Sequence, residues 1–232
     1  MKIVTLLAVL APAALTAQQT AAGAFIVRLG SDTIFVEQYA RTPDRLEGDQ
    51  ISRLATRTTV RHFVATLDSH GNITRYEVTG RSAGEGAAPA QRASITFTGD
   101  SATVQLPLGD SSRMLRVAAP AGTLPYVNSS FSLIELLTQR APARPGGEPV
   151  LLHVLPIRAP APSVASVQRV TADTVVIMFG DGNPVRICVD GTGRVVGAAG
   201  LGGADKVIVE RVASVDIPAL ARSFARRPLI RK

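Results

Sequence analysis

Turn residues recur along this chain at intervals that leave room for strands and little else. Phe25, Val27 and Leu29 alternate with Ile26 and Arg28 until Gly30-Ser31-Asp32 turns the chain. Thr33 to Tyr39 follows, with Phe35 and Tyr39 on one face and Ile34 and Val36 on the other. Strand side chains alternate between faces, so apolar residues at both parities predict a strand covered on both sides. Val60 to Leu67 and Ile73 to Thr79 flank Asp68-Ser69-His70-Gly71, a turn with Gly where a positive φ is needed. The pattern returns at Val189-Asp190-x-x-Gly193-x-Val195. Duplication of a half-sheet would produce this match, and so would hairpin chemistry alone. The fold read from this is mainly β: a single antiparallel curved sheet or half-barrel meander of about ten strands.

One helix interrupts the alternation, and a short second one is expected at the C-terminus. Ser132 with Glu135 three residues on makes a capping box, and Phe131 can staple onto Leu136. This predicts a helix over 131–140, stopped by Pro142. Pro218 suits the first turn of the C-terminal helix. The segments 141–149 and 156–162 are Pro-rich connectors, and Arg81 to Pro89 reads as a Gly/Ala-rich loop.

The N-terminus carries the pattern of a signal peptide over residues 1–17. Lys2 precedes an apolar run from Ile3 to Leu15, and Leu15-Thr16-Ala17 places a small residue at the cut before Gln18-Gln19. The run is too short to span a membrane, and no later segment is long enough to do so. Residues 18–232 are then one antiparallel β-rich domain, periplasmic or secreted. Cys188 is the one cysteine of the chain, so no intramolecular disulfide can form and the core depends on burial alone. Its place mid-strand between Ile187 and Val189 reads as a packed, inert thiol.

Aromatic residues make up 4% of the chain and Trp is absent, which argues against a stacking platform for sugars or bases. The formal charge is +7, and 22 of the 25 basic residues are arginine. Most arginines stand singly on polar strand faces. Export makes nucleic acid the least fitting partner for that charge, and an anionic surface or an exported protein a better one.

Catalytic and metal-binding patterns are missing from the sequence. His62, His70 and His153 do not share a ligand spacing. The Gly-x-Ser-x-Gly spacing occurs at Gly80-Arg81-Ser82-Ala83-Gly84, but it runs into the Gly/Ala-rich loop and opens no helix as a nucleophile elbow does; there is no Ser-x-x-Lys, no His-Glu-x-x-His and no phosphate-binding glycine loop. Asp44, Glu47 and Asp49 interleave with Arg41, Arg45 and Arg53 and read as a solvated ion-pair loop. Glu37 shares a strand face with Phe35 and Tyr39, where a charge needs a partner; Arg28 and Arg75 are the candidates. No cofactor, metal or catalytic residue is assigned, and a non-enzymatic role is expected.

A signal peptide, a long antiparallel meander and one mid-chain helix resemble the half-barrel of periplasmic lipoprotein-carrier (Lol-type) proteins and related exported families. The resemblance lies in the order of elements over most of the mature chain. It implies a concave sheet face closed by the helix around an acyl chain or other apolar ligand. Phe25, Phe35 and Phe97 with the helix residues Phe131, Ile134 and Leu137 would line it, and would equally make an ordinary core. The alternative is an interaction module for an anionic surface or exported partner, using Arg222, Arg226, Arg227, Arg231 and Lys232. If 218–227 is helical, Leu220 and Phe224 lie on one face and Arg222 and Arg226 on another.

Overall fold

The computed structural model describes residues 21–54, 57–83, 90–109, 111–142, 144–158, 160–199 and 207–226. The expected signal segment, most of the Gly/Ala-rich loop, and Arg227, Arg231 and Lys232 lie outside the described residues. Among the described residues fifteen strands form one sheet, more than the sequence pattern resolved. The first eight are β1 (Ala21–Leu29), β2 (Asp32–Arg41), β3 (Arg45–Leu54), β4 (Arg57–Leu67), β5 (Ile73–Ser82), β6 (Gln91–Thr98), β7 (Ser101–Leu108) and β8 (Ser111–Ala118). After β9 (Leu124–Tyr126) and the helix α1 (Phe131–Thr138) come β10 (Val150–Pro156), β11 (Ser163–Thr171) and β12 (Thr174–Phe179). The chain then forms β13 (Val185–Val189), β14 (Val195–Ala199), β15 (Val207–Val212) and the helix α2 (Ile217–Arg226).

The sheet order is β8-β7-β6-β5-β4-β3-β2-β1-β15-β14-β13-β12-β11-β10-β9. Every neighbouring pair is antiparallel except β9 with β10. The order contains two meanders side by side, the eight-stranded β1–β8 and the six-stranded β10–β15, joined where β1 pairs with β15. The matched Asp-x-x-Gly turns follow the fourth strand of each. They have the same bonding: Asp68 Oδ1 accepts from the N–H groups of His70 and Asn72, Asp190 Oδ1 from those of Thr192 and Arg194. Gly71 (φ 77°) and Gly193 (φ 81°) hold the left-handed position expected of them.

Chain geometry requires the sheet to curl. β8 and β9 are its two edges, yet only residues 119–123 connect them. That link reaches about 21 Å at full extension. Fifteen strands laid flat would separate the edges by about 67 Å. Curling brings β9 against β5 and encloses a concave face lined by alternate residues of each strand.

The helix α1 fills much of that concavity, and all eight of its residues are buried. Phe131 packs against Phe25 and Phe35 at ring-centroid distances of 5.4 and 6.4 Å. The helix begins two residues earlier than a Ser132 cap would place it, with Ser130 as N-cap, and ends at Thr138. The cap is not a box. Glu37 from β2 caps the helix from across the sheet, accepting the N–H groups of Phe131 (2.7 Å) and Ser132 (3.2 Å) and both the Ser130 and Ser132 hydroxyls.

Arg28 and Arg75, the expected partners of Glu37, instead pair with Glu210 and Glu77. Glu135, freed from capping, accepts from Tyr39 Oη (2.7 Å), the Val195 N–H (2.9 Å) and Arg211 Nη1 (2.6 Å). At the other end Thr138 donates to the Gly193 carbonyl (2.7 Å) and Arg140 to Asn72 Oδ1 (3.4 Å). Both Asp-x-x-Gly turns thus hold the C-terminal end of α1.

On the convex face α2 covers β3 and β4. Ile217 and Phe224 pack on Val36 and Ile51, with Leu220 and Ala221 half-buried beside them. This is why β2 is apolar at both parities.

Candidate functional site: an arginine-lined pocket on the concave face

The alternation of β4 places Arg57, Thr59, Arg61, Phe63, Ala65 and Leu67 on one face. Phe63, Ala65 and Leu67 belong to the core, while Arg57, Thr59 and Arg61 line a pocket of about 530 Å³. The same change occurs on the neighbouring strands. Tyr76 and Ile95 are fully buried, whereas Val78, Gly80 and Ser82 of β5 and Gln91 and Ala93 of β6 line the space. Leu106 and Pro107 of β7 continue the wall. Val127, after β9, and Ile157 and Arg158, after β10, close it from the opposite side of the curled sheet. The core thus forms the floor, with Phe63 and Tyr76 stacked at 6.2 Å.

The lining combines an apolar wall (Val78, Ala93, Leu106, Val127, Ile157) with four arginines, Arg57, Arg61, Arg81 and Arg158. Among the described residues it includes no carboxylate, histidine or cysteine. Arg61 is half-buried, and its pKa is lowered, first by desolvation and then by the charges of Arg158 and Arg57. Gly80 faces Arg61 across the β4–β5 ladder, where a Cβ would come within 3.3 Å of Arg61 Cγ. The missing side chain leaves the space in which the Arg61 stem lies.

Arg61 also faces Gln50 of β3, which in turn faces Glu37. Gln50 is 1% exposed, and both its amide nitrogen and its amide oxygen lack a hydrogen-bond partner among the described residues. The Tyr76 hydroxyl, buried near Glu37 and Arg61, also lacks one. Unpaired buried polar groups cost about 1–3 kcal/mol each. A polar row of Glu37, Gln50 and Arg61 therefore crosses an otherwise apolar face and meets the pocket at Arg61.

None of the six apolar residues singled out in the sequence lines this pocket. Phe25, Phe35, Phe131, Ile134 and Leu137 are buried in the main core, and Phe97 packs half-buried against it. The structure places them where the ordinary-core reading does. In α2, Arg222 and Arg226 are exposed, but the apolar side of that helix is packed on the sheet and unavailable to a lipid surface. Cys188 is exposed, contrary to the packed thiol expected, because Ile187 and Val189 take the inward positions of β13. His62 lies on the convex side of β4 beside Asp49, at 3.0 Å.

The pocket arginines were legible in principle. Arg57-x-Thr59-x-Arg61-x-Phe63 puts two arginines on the face of a core phenylalanine, against the reading of arginines confined to polar faces. Arg158 carries no such signal, since a loop residue's neighbours depend on the curl of the sheet.

No family model matches the chain, and no curated protein matches it. Among solved structures it is similar to a DUF1089 family protein from Pseudomonas aeruginosa, at 15% identity and a TM-score of 0.51, covering 74% of this chain and 92% of that one. At that identity the likeness shows the fold alone, a mainly β architecture of one curved antiparallel sheet.

Proposed function

We propose that this is an exported, non-catalytic binding protein that takes the apolar part of a small amphipathic ligand into the concave pocket. The observation that carries this reading is the two-sided lining, an apolar wall of Val78, Ala93 and Leu106 facing a rim of arginines. Small-molecule sites commonly have this form, mostly apolar with a few polar groups that orient the ligand. The volume of about 530 Å³ lies within the usual range for such sites. A histidine or carboxylate able to serve as general base is missing from the described lining, which favours binding over turnover.

Lys2 and the apolar run after it support export. Periplasmic protein from a Gram-negative host should begin near Gln18 and carry a small amphiphile in a native mass spectrum. Ala93→Phe, which fills the wall, should lose that adduct while keeping the fold. A wild-type mass equal to the bare chain, together with failure to bind added long-chain alcohols, would overturn the reading.

A further inference from the structure

Resting on that reading, we infer that the ligand's head is a compact, multiply charged anion of the phosphate-monoester kind, held by Arg57, Arg61 and Arg158. Arg57, Arg61 and Arg158 line one pocket, and burial first, then the charges of Arg158 and Arg57, lower the pKa of Arg61. Clustered like charges in a partly desolvated site raise one another's energy unless an opposite charge joins them. The described residues of the lining supply none. Among the described residues, none of these three arginines forms an ion pair with a carboxylate, whereas Arg28, Arg45, Arg53, Arg75 and Arg211 all do.

The surroundings are organised for such a head. Gly80 leaves the Arg61 stem its space, and Thr59 and Ser82, directly opposed on β4 and β5, add two hydroxyls to the lining. Guanidinium forks match the paired oxygens of carboxylates and phosphates. Charge separates those two classes. A carboxylate neutralises one of the clustered cations, and a phosphate monoester carries about −1.5 to −2 at neutral pH. The chain attached to the head would lie along Val78, Ala93 and Leu106.

The test uses the full chain and a set of probes sharing one twelve-carbon tail, titrated calorimetrically below the concentration at which they form micelles. Dodecyl phosphate, dodecanoate, dodecanol and dodecyltrimethylammonium vary the head alone, and inorganic phosphate supplies the head without the tail. Affinity should fall from phosphate to carboxylate to alcohol, with at least tenfold between the first and last. The cationic probe should bind more weakly than the alcohol. Raising salt should weaken dodecyl phosphate and leave dodecanol unchanged.

Arg61→Gln and, separately, the exposed Arg158→Gln should each shrink the phosphate-to-alcohol ratio while dodecanol binding persists. The exposed site guards against a folding defect at Arg61. Equal binding of dodecanol and dodecyl phosphate, or an unchanged ratio in both variants, would overturn the anionic head and leave the apolar pocket standing. Inorganic phosphate binding as tightly as dodecyl phosphate would keep the anion site and remove the tail. Binding of no probe at all would remove both.

Discussion

Glu37 accepts the backbone N–H of Phe131 at 2.7 Å, so a carboxylate in the middle of the sheet caps a helix ninety-four residues further along the chain. Burial pushes the Glu37 carboxyl up to about 7 from its ordinary 4.5, against the pull of its hydrogen bonds. Between those values the folded chain holds a proton that the unfolded chain has lost. Stability from this group is therefore complete below pH 4.5 and declines as pH rises to 7, by about 3 kcal/mol for a gap of that size. Asp68 and Asp190, held low by their turns, act with the opposite sign at more acidic pH. Urea midpoints measured between pH 5 and 8 should fall with pH in the wild type and lose that slope in Glu37→Gln.

The second anchor of α1 is the Glu135–Arg211 pair, at 2.6 Å and with both side chains largely buried. Arg211 also lies over the rings of Phe25 and Tyr39, 5.1 and 5.6 Å from their centroids. Removing one partner of a buried pair leaves the other charge uncompensated. Glu135→Ala should destabilise the protein by about 3–5 kcal/mol, as read from chemical denaturation. A loss under about 1 kcal/mol, the level of a surface pair, would contradict this account.

The two matched turns should differ when their glycines are replaced. Both positions have positive φ, which costs an L-residue about 1–2 kcal/mol. At Gly71 the added Cβ meets only Arg41 Nη2 at 3.9 Å, whereas at Gly193 it comes within 3.0 Å of the Thr138 carbonyl oxygen. Gly193→Ala should therefore lower the denaturation midpoint more than Gly71→Ala, because it also presses on the end of α1.

Gly80 offers a test of the pocket that leaves every arginine in place. Gly80→Val puts methyl groups where the Arg61 stem lies, 3.3 Å from even a Cβ. Dodecyl phosphate binding should weaken severalfold in calorimetric titration, with little change in dodecanol binding. Equal loss for both probes would mean that the pocket itself had closed.

The period-two alternation was enough to read the mainly β fold, the mid-chain helix and the turn glycines, because those depend on neighbours a few residues away. The site was not legible as a site. Phe25, Phe35 and Phe131 have the composition of a ligand cavity, but α1 fills that part of the concave face, and no local pattern shows where a helix will lie on a curled sheet. Glu37 illustrates the same limit. Its face and its need for a partner follow from alternation, but its partners are backbone donors and hydroxyls of a distant helix start rather than an arginine. Fifteen strands rather than about ten emerge because short or Pro-bearing segments such as Leu124–Tyr126 and Ser101–Leu108 gain strand geometry from the edges they join.

The pairing of β1 with β15 sets Ala24 opposite Val212 and Leu29 opposite Val207, joining the two ends of the described chain at the centre of the sheet. Each meander can zip from its own hairpins, whose loops are short, whereas this seam closes a loop nearly as long as the protein. Closure entropy grows only logarithmically with length, but such distant pairings slow folding because the ordering cost comes before the contacts that offset it. Until residue 212 is available, β1 presents an open row of N–H and C=O groups, a template for another chain. A chain cut short before β15 is therefore an aggregation hazard. A circular permutant that joins the old ends and opens within 119–123 would turn the slowest contact into a local one.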